Sequence, residues 1–200
     1  MIDKNIKKLW DWFVKHEKQI RDSIDYDSVS EQQLVTDQLN NLVLELGMFT
    51  WEVAPGETKP WSFLISPNGD AELLVKSKKI IQEAPDLKDW AFYFARQAKL
   101  WDQKLLLYDS VMDEQEVDAS KWKFVKIKKQ RAKCDLIIEA LNMAHIDEET
   151  LNKAAHMLVV NEIGEETKIN KIASIEVVRK IPAQYESNRA DITVLRKELY

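Results

Sequence analysis

Apolar residues recur at two different periods along the chain, and the change at Met48 separates a helical start from a mixed remainder. Ile6, Leu9, Trp10, Phe13, Ile20 and Ile24 fall at helical spacing, with Lys7, Lys8, Lys15, Lys18 and Arg21 elsewhere on the wheel, which predicts a helix over 3–24. Ser30 followed by Gln33 has the form of a capping box, and Val35, Leu39, Leu42, Val43 and Leu46 keep the period until Gly47. The two helices are expected to form a hairpin over 1–47. Phe49-Thr50-Trp51-Glu52-Val53 then alternates with period two, Pro55 to Pro60 turns, and Trp61-Ser62-Phe63-Leu64-Ile65 returns as the second strand of a β-hairpin. Pro67-Asn68-Gly69-Asp70 breaks the run. Leu73, Leu74, Ser77, Ile80, Ile81 and Ala84 mark one face of a helix over 71–84, and Trp90-Ala91-Phe92-Tyr93-Phe94 supplies another strand. The aromatic mass between Trp61 and Arg96 places this strand, helix and strand at the centre of a core.

In the second half, Lys104-Leu105-Leu106-Leu107-Tyr108 reads as a strand and Asp113 to Asp118 as an acidic loop. Trp122 to Lys128 and Cys134 to Leu141 read as two strands joined by a polar turn near Lys129-Gln130-Arg131. Asp147 is placed to cap a helix carrying Leu151, Ala154, Ala155, Leu158 and Val159 on one face, closed by Gly164. Ile172 to Val178 reads as a core strand. The stretch after Pro182 is a polar tail in which Ile192, Val194, Leu195 and Leu199 pack back weakly. The order ββαβ followed by βββαβ predicts an α+β fold: a helical hairpin followed by a mainly antiparallel sheet with helices on one face, ferredoxin-like in type. No Gly/Ser-rich linker divides the chain, so one domain over 1–200 is expected, with 1–47 the hairpin, 48–181 the sheet and its helices, and 182–200 the tail.

Composition narrows the function more than the fold. Two hundred residues, 45% hydrophobic and 32% charged with four Gly and five Pro, are those of a globular chain able to bury a core without staples. A net charge of −5 is unlike the basic balance of a general nucleic-acid binder. The single cysteine, Cys134, fits a reducing compartment. Met1-Ile2-Asp3-Lys4-Asn5 lacks the apolar core of a signal peptide and no run approaches a membrane span, so a cytoplasmic setting without membrane contact is expected.

Four features taken together resemble a known family. They are Trp10-Asp11-Trp12-Phe13, the strand-turn Leu64-Ile65-Ser66-Pro67-Asn68-Gly69, the stretch Glu83-Ala84-Pro85-Asp86-Leu87-Lys88-Asp89-Trp90, and the run from Ile163-Gly164-Glu165-Glu166 to Ile175-Glu176-Val177-Val178. In order and spacing the chain resembles a family of uncharacterised bacterial cytoplasmic proteins with no assigned activity. The resemblance implies a bacterial, intracellular setting and carries over no site.

Candidate chemistry is sparse. G-x-G-x-x-G, G-x-x-x-x-G-K-[ST] and G-x-S-x-G are all missing, and Ser62 and Ser66 read as structural hydroxyls beside a strand. His16, His145 and His156 lie outside metal-ligand spacing; a metal site would require His145 and His156 to converge with Glu148, Glu149 or Glu162. Asp25-Tyr26-Asp27 begins like a calcium loop, but Ser30 and Thr36 stand where that loop needs glycine and glutamate. Cys134 alternates with Leu136 and Ile138 as a core residue. Glu165-Glu166 and Asp147-Glu148-Glu149 sit where acids favour a helix start. No catalytic residue, metal or cofactor is assigned.

The pointed local feature is the basic run 121–133, seven Lys and Arg with no acid and with aromatic residues between them. Lys121, Trp122, Lys123, Phe124, Lys126, Lys128 and Arg131 form a nucleic-acid or partner surface if they share one face of a hairpin, the rings stacking bases and the cations neutralising phosphates. Lysines on a sheet edge also block aggregation, and the acidic 113–118 stretch upstream offers neutralisation. The leading expectation is a protein-interaction or regulatory module without catalysis, self-association included, because seven Trp exceed what one core needs. RNA or single-stranded nucleic-acid binding through 121–133 is the alternative. An enzyme whose site is assembled only by folding is third.

Overall fold

The computed structural model describes the backbone of residues 2–25, 29–128 and 133–200, and the side chains of these apart from 23–32 and 128. The chain divides into two compact units, Met1–Arg96 and Gln97–Tyr200. Each has its own buried core.

The amino-terminal unit holds α1 (Ile2–Asp25), α2 (Val29–Leu44), β1 (Thr50–Pro55), β2 (Trp61–Ser66), α3 (Ala71–Gln82) and β3 (Trp90–Tyr93). The apolar stripe of α1 buries Ile6, Leu9, Trp10, Phe13 and Ile20. Phe13 lies among four rings, Trp10 at 5.8 Å, Phe63 at 5.1 Å, Trp90 at 4.8 Å and Phe92 at 5.5 Å, mostly edge to face as aromatic quadrupoles prefer. Asn5 Nδ2 donates to the Glu45 carbonyl, Lys8 pairs with Glu45 at 2.6 Å and Trp12 Nε1 donates to Gln38, so the start of α1 lies beside the end of α2. The expected capping glutamine behaves differently: Gln33 donates to Asp37 one turn on, and the Ser30 side chain lies outside the described residues.

β2 is the central strand of a three-stranded sheet, antiparallel to β1 and parallel to β3. α3 makes the crossover between the parallel strands. Asn68 (φ 53°) and Gly69 (φ 81°) turn the chain after β2, closed by Asp70 N donating to the Pro67 carbonyl, and the Asp70 carboxylate caps α3 by accepting from Leu73 N at 2.8 Å. Arg96, just past β3, donates to Glu52 on β1 and, through Nη1, to the buried Ser66 Oγ at 2.8 Å. Ser66 is therefore a structural hydroxyl tying strand ends together.

The carboxyl-terminal unit holds β4 (Lys104–Tyr108), β5 (Glu114–Asp118), β6 (Lys123–Lys128), β7 (Cys134–Glu139), α4 (Glu148–Ile163), α5 (Glu165–Lys171), β8 (Ile172–Val178), β9 (Ala190–Asp191) and α6 (Leu195–Leu199). β4 and β5 pair as a separate antiparallel ribbon, while the main sheet runs β8-β7-β6-β9 with only β7 and β8 parallel. Trp122, Phe124, Leu136 and Ile138 belong to the core formed with Leu151, Ala154, Ala155, Leu158 and Val159 of α4. Asp147 caps α4 by accepting from Thr150 N at 2.9 Å and from the Thr150 hydroxyl at 2.7 Å. On the other face Val125, Ile137 and Ile181 form a smaller cluster, beside which Arg189 Nη2 approaches the buried Glu139 carboxylate at 2.8 Å.

The α+β class holds, and most elements stand where the periodicity puts them. Among the described residues the single expected sheet is instead three, and neither unit carries the β-α-β-β-α-β order of a ferredoxin-like domain. Both units repeat a shorter pattern: a hairpin, a helical crossover, and a third strand parallel to the hairpin's second. The acidic stretch expected as a loop is the strand β5. Residues 182–200 form more than a tail, since β9 pairs with β6 and Ile192, Leu195 and Leu199 are buried.

Candidate docking surface

The β4–β5 ribbon has one face committed and one face open. Leu105, Leu107 and Val117 point into the core, which anchors a two-stranded ribbon that would be marginal alone. Alternation turns Leu106 and Tyr108 outward, where they are 59% and 55% exposed. Their cross-strand partners are Glu116 and Glu114, and Lys104 faces Asp118. The outer face is thus an apolar stripe beside a row of carboxylates.

The ribbon ends in a built turn. Met112 N donates to the Asp109 carbonyl at 3.1 Å, and Asp109 N to the Asp113 carbonyl at 3.0 Å, enclosing the three-residue loop Ser110, Val111 and Met112. Asp109 Oδ1 accepts from Val111 N and Asp113 N, and Oδ2 from Gln115 Nε2. The Asp113 N–H foremost, with the Gln115 amide and Val111 N–H, holds the Asp109 carboxyl below its ordinary pKa. Met112 occupies the last loop position with φ 66°, the left-handed site at which such hairpins ordinarily place glycine. Yet Val111 and Met112 are 72% and 74% exposed, so neither side chain recovers the backbone cost by packing in this chain.

The described residues among those singled out in 121–133 do not form one open face. Trp122 and Phe124 are buried in the core, so neither ring is available for stacking. Lys121 is exposed, Lys123 pairs with Asp191, and Lys126 Nζ donates to the Glu198 carbonyl at 2.7 Å and carboxylate at 3.2 Å. The Lys128 side chain, the turn 129–131 with Arg131, and Tyr26 and Asp27 of the calcium-like stretch lie outside the described residues.

The histidines and acids are dispersed. His156 Nδ1 lies 3.0 Å from Lys168 Nζ, which donates to it; burial foremost, then Lys168, lowers the His156 pKa. Glu162 accepts from Trp101 Nε1 and Gln103 Nε2, fastening the segment before β4 to α4. His145 is exposed at the approach to α4, and among the described residues no three His, Cys, Asp or Glu side chains converge as for a metal. Burial raises the Cys134 thiol pKa, opposite to what a nucleophile requires. The tryptophans are used internally: Trp10, Trp12, Trp51, Trp90 and Trp101 each donate an indole N–H within their own unit. None of the seven is exposed, so the surplus tryptophans expected to mark a partner surface are instead shared between the cores of the two units. No helix among the described residues is long and apolar enough to cross a membrane.

No family model matches the chain, and no curated protein or solved structure matches it.

Proposed function

We propose that the protein is a non-catalytic interaction module of the bacterial cytoplasm that docks a partner on the outer face and tip of the β4–β5 ribbon. The carrying observation is Met112, an exposed apolar side chain held in a backbone conformation that favours glycine. A residue that weakens the free fold and leaves most of its side chain in solvent has its use in a complex. The partner's chemistry follows from the neighbours. Leu106, Tyr108, Val111 and Met112 call for apolar contact, and Asp113, Glu114 and Glu116 around them call for basic residues at its rim. The same carboxylates repel an anionic lipid surface. The partner is therefore a protein segment alternating apolar and basic side chains.

A fluorescein-labelled decapeptide alternating Lys with Leu and Phe tests this by anisotropy. Saturable binding is expected, lost in L106S/M112S, a double variant that removes apolar surface without altering charge. Equal binding by the variant, or by the same peptide with Glu in place of Lys, refutes the reading.

A further inference from the structure

A second surface lies in the amino-terminal unit, on the polar side of α1. A depression of about 790 Å³, within the range of ligand sites, is lined by Lys4, Lys7, Lys8 and Lys15 around Trp12 and His16. The two rings lie parallel, 4.5 Å apart at 18°. Both are fixed by hydrogen bonds, the indole N–H to Gln38 at 3.0 Å and His16 Nδ1 to the Trp12 carbonyl at 2.7 Å, where Nδ1 must carry the proton. Lys7 and Lys8 are held over the depression by exposed pairs with Asp11 at 2.8 Å and Glu45 at 2.6 Å, weak enough for an anion to replace. Lys4 and Lys15 have no ion-pair partner among the described residues. Four lysines against two carboxylates leave the depression positive in a chain whose net charge is −5.

Lysines alone describe a solvated helix face; an ordered pair of flat rings among them does not. We propose that this groove binds single-stranded nucleic acid, with a base against the Trp12–His16 stack and phosphates at Lys4 and Lys15. Spacing decides between a strand and a free nucleotide. Eleven residues of helix separate Lys4 from Lys15, about 16 Å along the axis, beyond the reach of one nucleotide and within that of a short strand. The site shares no residue with the β4–β5 ribbon or with the basic run 121–133.

The test is anisotropy of a fluorescein-labelled ten-nucleotide oligoadenylate RNA with the full chain at 50 and 200 mM salt. Two neutralised phosphates on a single strand predict an affinity falling about sevenfold across that range. K4E/K15E removes the two lysines without breaking an ion pair and is expected to weaken binding at least tenfold. H16A, which removes one ring, is expected to weaken it several-fold, and K126E to leave it unchanged. Circular dichroism checks that each variant folds. No binding at 50 mM salt, or binding indifferent to K4E/K15E, overturns the proposal. AMP competing as well as the strand would replace it with a mononucleotide site. Polyglutamate displacing the RNA equally well would overturn the role of the rings.

Discussion

Met112→Asn separates folding from docking at one position. In the left-handed region a side chain with a Cβ costs roughly 1–2 kcal/mol, and asparagine is among the few residues that lower this cost by bonding locally. Because Met112 is 74% exposed, replacing it forfeits little burial. A gain of about 1 kcal/mol is therefore expected for Met112→Asn. Met112→Gly should gain less, since glycine's extra freedom in the unfolded chain takes back roughly 0.5–1 kcal/mol. Met112→Val should lose stability, because β-branched residues fit this region worst. Urea unfolding followed by far-UV circular dichroism reads the series; with a slope of about 2 kcal/mol/M, the asparagine variant's midpoint should rise by about 0.5 M. The order Asn above Gly above Met above Val supports a strained tip. An asparagine variant no more stable than the parent means that Met112 recovers its backbone cost within the chain, and the argument for docking at the tip then falls.

Leu195→Ala, at a fully buried position of the last helix, should cost about 2–5 kcal/mol by urea unfolding, whereas a loose tail would lose almost nothing. Arg189→Ala strands the buried Glu139 carboxylate and should cost about 3 kcal/mol, near the low end for such pairs because Arg189 is partly exposed; adding Glu139→Gln should recover part of the loss. His156 has a folded-state pKa lowered from 6.5, so the fold favours the neutral ring: its contribution is complete above pH 6.5 and is lost as pH falls through the lowered value. Lys168→Met should raise the His156 titration midpoint in an NMR pH series. Asp109 has the same sign at lower pH, because its lowered carboxyl pKa keeps the tip ordered until acidification protonates it. The protection of the Val111 and Asp113 amides, relative to their intrinsic exchange rates, should fall there, and unchanged protection would refute that ordering role.

Elements whose apolar residues repeat at one period over several turns were legible from composition and spacing alone. α1, α3, α4 and β4 were readable because each buries a face by itself, and the period of that face is a local property. β5 was not: Glu114, Gln115, Glu116 and Asp118 are poor strand formers with one buried residue, Val117, between them, and only the register opposite β4 makes them a strand. Of α5 only the acidic start at Glu165-Glu166 was legible, its seven residues being too few to show a period. The division after Arg96 has no glycine or serine linker to announce it; it follows from which side chains share a core.

The candidate surfaces divide in the same way. The basic run 121–133 was conspicuous as composition, but Trp122 and Phe124 are drawn into the core, and Lys126 on the same face of β6 as Phe124 and Lys123 on the opposite face meet Glu198 and Asp191 from the far end of the unit. Val111 and Met112 went unread in the sequence, because their meaning depends on a φ angle and an exposure that spacing does not encode. The α+β class, the helical and strand periods and the absence of familiar nucleotide and nucleophile motifs are legible along the chain, because these depend on residues near one another. Which tryptophans are buried, where the two cores part, and which side of each strand meets water emerge only on folding, because burial is settled by partners distant in the chain.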